Sequence, residues 1–219
     1  MNPFRFGSAG EILLDGTPQT GEGLGISGSV SITIADNTDR CLICPVVQYG
    51  GINGVSSVKI GATNFTQGVA HDQHGATCEI WYLLNPPIGS QTVDVVFNAD
   101  LLEFVIGAYS LYGVDQTTPI GATGAAGTSG GTPQPNGTIT PTNAGSWIID
   151  CIVANSNNAT LTESLTLGYY ELVSAGDPNR PLGSQYSATP TISSSNSMAW
   201  SGLTGGYNWT WAAVEVNAS

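Results

Sequence analysis

Val30, Ile32 and Ile34 alternate with Ser31 and Thr33, and Val93, Val95 and Phe97 alternate with Asp94 and, less cleanly, Val96. Successive side chains of an extended strand point to opposite faces, so this two-residue period builds half-buried strands and excludes an amphipathic helix over the same residues. Further strands are predicted over Arg40 to Gln48, Ser57 to Ile60, Thr77 to Leu84, Glu103 to Tyr112, Ser146 to Ala154, Leu165 to Val173 and Asn208 to Val216. Turn-forming clusters separate them, among them Asp36-Asn37-Thr38-Asp39, Gly50-Gly51-Ile52-Asn53-Gly54, Asn85-Pro86-Pro87-Ile88-Gly89 and Asn155-Ser156-Asn157-Asn158. No stretch carries a capped helical stripe. The expectation is an all-β, jelly-roll-like antiparallel β-sandwich of about nine or ten strands in two packed sheets.

Residues 1–26 read as an N-terminal arm and lead-in, and 27–219 as one sandwich domain. From Gly121 to Thr132 glycine falls at every third position for four triplets. The run has no proline and is too short for a collagen helix, so a flexible glycine-rich loop is expected over 121–136. Within it, Gly127-Thr128-Ser129-Gly130-Gly131 matches the G-x-S-x-G pattern of a nucleophile elbow. That elbow needs a strand before its serine and a helix after it, and neither is predicted, so Ser129 is not expected to act as a nucleophile.

Sixteen acidic and four basic side chains give a formal charge of −12, and Lys59 is the only lysine. Nucleic-acid binding by phosphate neutralisation needs clustered Lys and Arg, and is excluded as an expectation; a basic membrane-surface helix falls with it. No apolar run is long enough to span a membrane, and the first residues lack the apolar stretch of a secretory signal. A virion component assembled in the host cytoplasm fits these features, with an extracellular bacterial surface as the alternative setting.

Cys41 and Cys44 form a C-x-x-C, but residues three apart in a strand face opposite ways, and Cys78 and Cys151 lie in apolar strands without a second such pair. Buried free thiols are expected, with no metal and no cofactor. His71-Asp72-Gln73-His74 reads as a solvated loop. Glu79 shares a strand face with Trp81, which suggests a sugar platform, and Trp209 and Trp211 share a face of the last strand. These four residues are the candidate ligand platform. Glycoside hydrolysis needs two acids across one cleft, and nothing pairs Glu79, Glu163 or Glu171, so no enzyme is expected.

The succession Asp39 to Ile43, Val55 to Gly61, Glu79 to Gly89 with its W-Y-L-x-x-P-P-x-G block, and the G-V-D-Q-T-T-P block from Gly113 to Pro119 resembles a β-sandwich domain common in uncharacterised bacterial surface proteins and bacteriophage structural proteins. The likeness runs from about Ser27 to Val216 and departs at the strand cysteines, where branched aliphatic residues are more usual. It implies a sandwich without an established catalytic site. The expected function is a bacteriophage virion structural protein, a capsid decoration (cement) or head-fibre protein; the alternative is a carbohydrate-binding or adhesin module on a virion tail or bacterial surface. The expected partners are the major capsid protein or other virion proteins, together with further copies of the chain, a trimer being preferred. In an extended arm Phe4 and Phe6 face one side and Arg5 the other, which makes these three the candidate assembly contacts.

Overall fold

The computed structural model describes residues 10–50, 54–128, 134–155, 162–163, 166–171, 182–202 and 208–219. Every regular element among them is a strand, and every ladder is antiparallel. In chain order the strands are β1 (Leu13–Leu14), β2 (Gln19–Ile34), β3 (Cys41–Tyr49), β4 (Val55–Ile60), β5 (Thr63–Asn64), β6 (Thr66–Gln73), β7 (Ala76–Leu84) and β8 (Gly89–Tyr112). They continue with β9 (Ile120–Thr128), β10 (Asn136–Ile139), β11 (Trp147–Asn155), β12 (Thr162–Glu163), β13 (Thr166–Glu171), β14 (Leu182–Ser187), β15 (Asn196–Ser201) and β16 (Asn208–Val216). The all-β antiparallel expectation holds; among the described residues the strands number sixteen, in three sheets, against the nine or ten in two expected.

The first eight strands form one sheet organised by β8. One edge of β8 carries β2 along almost its whole length and then β1; the other carries β4 against Asp94 to Phe97 and β3 against Glu103 to Leu111. Between those halves β8 doubles back, bringing the Phe97 and Phe104 rings to a centroid distance of 4.8 Å. Its partner β2 bends with it through bulges around Gly25, which takes a φ of 99°. A Cβ on Gly21 would overlap the Ser29 carbonyl, and one on Gly28 would overlap the Phe104 ring, so glycine permits this fold-back. The sheet therefore curls around a core of its own that includes Val30, Ile32, Leu42, Val58, Val95 and Ile106. The curl is nearly closed, because the chain passes directly from β5 through Phe65 into β6. The lead-in expected over 1–26 is thus partly sheet, from Leu13 onward.

The second sheet, in order β13-β14-β11-β16-β9, packs on the outside of that curl. Its boundary with β3, β7 and β8 is the core containing Ile43, Val47, Ile80, Tyr109, Ile149 and Val214. On its other face lies the third sheet, β10-β15-β12, over Ile139, Ile148, Met198, Trp200 and Trp211. Strands β3 and β16 are consequently covered on both faces, and their sequences run apolar without a polar side. Pro45 sits inside β3; the ladder with β8 is interrupted between Ile43↔Tyr109 and Val46↔Ile106, where a residue lacking an N–H is tolerated, while β7 pairs throughout.

The glycine-rich segment is not a loop up to Thr128. It is β9, and small residues are needed there: a Cβ on Gly124 would stand 2.8 Å from the Trp211 ring, and one on Gly127 would overlap the Gln73 side chain. Asn136 likewise begins β10, and 129–133 lie outside the described residues. The His71 segment also differs from expectation, since His71 and Asp72 belong to β6 and only His74 occupies the turn, at a φ of 52°.

Candidate functional site

Glu79 and Trp81 leave β7 on one face, as the alternation requires, and that face looks into the curl of the first sheet. Glu79 is 2% exposed. Its Oε1 accepts the Val55 backbone N–H at 2.8 Å, and its Oε2 accepts Gln67 Nε2 and Trp81 Nε1, each at 2.8 Å. One carboxylate thus ties β4, β6 and β7 together at the seam that strand pairing leaves open. Burial raises the Glu79 pKa, the three donors oppose the rise, and the Asp72 charge adds to it. Gly54, at a φ of 65°, makes room for this clasp: a Cβ there would lie 2.7 Å from Glu79 Oε1.

Over the seam lies a groove of about 510 Å³ lined by Ser56 to Lys59 of β4, by Asn64 and Phe65, and by Trp81. Trp81 is part-exposed there and its indole edge is held by Glu79, so the ring orientation is preset. Lys59 stands opposite Asp94 in the β8 register, yet it forms no ion pair among the described residues. The other described cation, Arg40, is engaged by Asp36, the Asn37 carbonyl and the Pro86 carbonyl.

Trp209 and Trp211 do share a face, but it is buried beneath the third sheet and separated from Trp81 by a whole layer. Trp211 is 0% exposed, so it cannot serve as a ligand platform. Trp209 is 6% exposed and borders a shallow apolar cleft with Pro135, Asn136, Trp200 and Ser201. The residue that organises this region is one that sequence reasoning missed. Asp150, 0% exposed, accepts Gln185 N at 3.0 Å on Oδ1, and on Oδ2 accepts Gln185 Nε2 at 3.0 Å, Trp200 Nε1 at 3.1 Å and Trp211 Nε1 at 2.8 Å. Burial pushes its pKa up to about 6 against the pull of those donors. A lone acid inside the apolar run Trp147 to Ala154 is the signal that marks it.

Cys41 lies in the core between the first two sheets and Cys44 inside the curl, so the C-x-x-C diverges. Cys78 and Cys151 meet across the intersheet boundary, with Cys78 Sγ donating to the Thr210 carbonyl at 3.1 Å and Cys151 Sγ to the Glu79 carbonyl at 3.8 Å. All four thiols are free and buried. Among the described residues no three His, Cys, Asp or Glu side chains gather as a metal site. Phe4, Arg5, Phe6 and Ser129 lie outside the described residues, as do the side chains of Glu163 and Glu171.

No protein-family model, curated protein or solved structure matches this chain. What the site can do follows from its own chemistry. Glu79 and Asp150 are each surrounded by N–H donors, and among the described residues neither faces a second acid or a nucleophile at hydrogen-bonding distance.

Proposed function

We propose that this chain is a bacteriophage virion structural protein, a capsid decoration or head-fibre protein that works by assembly contacts with capsid or other virion proteins and with copies of itself. The observation that carries this reading is the use made of its buried acids. Asp150, Glu79 and Glu215 each hold N–H donors from separate segments of the chain, which makes them parts of a rigid scaffold. Four buried free thiols are in keeping with folding in a reducing cytoplasm. The net charge of −12 disfavours contact with nucleic acid and leaves protein surfaces as the natural partners. The resemblance of the Trp81 to Gly89 and Gly113 to Pro119 blocks to phage structural domains supports the same setting.

Expressed from its native genome, the chain should cosediment with released phage particles in many copies per particle. Recovery wholly in the soluble fraction of a lysate rich in particles would overturn the proposal. A second reading, a carbohydrate-binding module, is favoured by the groove over the seam.

A further inference from the structure

We infer that the groove over the β4–β7 seam is a binding site for an acidic saccharide, a chain carrying uronate-type carboxylates. This deepens the carbohydrate-binding reading and does not depend on particle incorporation, which cosedimentation tests separately.

A sugar ring offers an apolar C–H face and a polar rim, so a site for it needs a flat aromatic surface bordered by hydrogen-bonding groups. The groove has both. Trp81 supplies the aromatic surface, and Ser56, Ser57 and Asn64 supply hydroxyl and amide groups along the rim. The volume of about 510 Å³ falls within the range of small-ligand clefts.

Glu79 adds preorganisation. Its carboxylate fixes the indole N–H at 2.8 Å and in the same stroke holds β4 and β6, the elements that flank the ring. Trp81 therefore need not lose rotamer freedom when a ligand stacks on it, which lowers the cost of binding. Because the indole N–H is already engaged, recognition falls to the ring surface and to the rim.

Lys59 selects for charge. A chain with sixteen acidic side chains places its only lysine at this groove and leaves it without an ion pair among the described residues. Asp94 opposite tempers the local field, so a single carboxylate per sugar is better matched than a dense polyanion such as a nucleic acid. A carboxylate close to Lys59, with the sugar face on Trp81, uses every feature of the site at once.

The test is titration of the full chain with oligogalacturonate and with a neutral gluco-oligosaccharide of equal length, followed by calorimetry and by tryptophan fluorescence. Saturable binding of the acidic sugar is expected, at least tenfold tighter than the neutral one. Lys59→Gln, on a part-exposed side chain, should remove that preference with an unchanged circular dichroism spectrum, and Asn64→Ala, on an exposed residue, should weaken binding several-fold. Trp81→Ala should lower affinity at least tenfold; should that variant misfold, the first two variants decide the matter. Equal binding of both sugars, indifference to Lys59→Gln, or no saturable binding at millimolar sugar would each overturn the inference.

Discussion

Trp211 Nε1 donates to Asp150 Oδ2 at 2.8 Å in a core where, among the described residues, no cation faces the carboxylate. Charge is held there by dipoles: two indole N–H groups, one backbone N–H and one side-chain amide. They do not fully replace water, and the folded-state pKa rises from 3.8 to about 6. The folded protein therefore binds this proton more tightly than the unfolded chain does. The contribution of Asp150 to stability is complete below about pH 4 and is lost as pH rises through about 6, roughly 3 kcal/mol in all at about 1.4 kcal/mol per unit. Urea unfolding at pH 4, 5.5 and 7 should show the wild type losing about that much relative to Asp150→Asn, which cannot titrate. Parallel pH profiles would refute the assignment.

Glu215, on the same face of the second sheet, works with the opposite sign. Burial raises its pKa, but the backbone N–H groups of Ala122, Asn143 and Thr142 more than offset this, and the net shift is downward. Those bonds measure 2.8, 2.9 and 2.9 Å. Its stabilisation is present above the ordinary glutamate value of 4.5 and is lost as pH falls through the lowered folded value. Glu215→Gln should cost about 1 to 3 kcal/mol at pH 7, since one amide oxygen cannot accept all the donors that the carboxylate holds. Below pH 4.5 the variant should lose stability less steeply than the wild type, as read from acid-unfolding curves.

Gly137 passes directly over the Trp211 ring, and a Cβ there would overlap the indole. The ring cannot retreat, being fully buried and bonded to Asp150. Gly137→Ala should lower stability by about 1 to 3 kcal/mol, the usual cost of overpacking, measured by thermal or urea unfolding.

Alternation made part of this architecture readable. The C-terminal half of β2 and the N-terminal half of β8 have one covered face, and their two-residue period says so. Cys41 to Val47 and Trp209 to Val216 were readable as strands, but their lack of a polar side also signals cover on both faces, the local mark of a third layer. The glycines of β9 look like a loop in sequence because their need for space comes from Trp211 and Gln73, which lie far away along the chain. The site divides in the same way. Glu79 and Trp81 share a strand and a face, so their pairing is legible from position alone, whereas Asp150 depends on partners 35, 50 and 61 residues away.

Cys78 and Cys151 occupy opposite sides of one sheet boundary, each donating to a carbonyl of the other sheet. Burial pushes the Cys151 thiol well up, with its Cys78 neighbour raising it further, and burial also raises Cys41 and Cys44. The thiolate is the reactive form, and a buried thiol with a raised pKa hardly populates it at neutral pH. Reagent must therefore await unfolding. An aromatic disulfide reagent at pH 8 should titrate none of the four thiols in the native protein over minutes and all four in denaturant without reductant. Cys78→Ser should be destabilising by about 1 to 3 kcal/mol, because a hydroxyl is a poorer fit than sulfur to an apolar core. Rapid native reactivity, or fewer than four thiols in denaturant, would contradict the paired, fully enclosed arrangement.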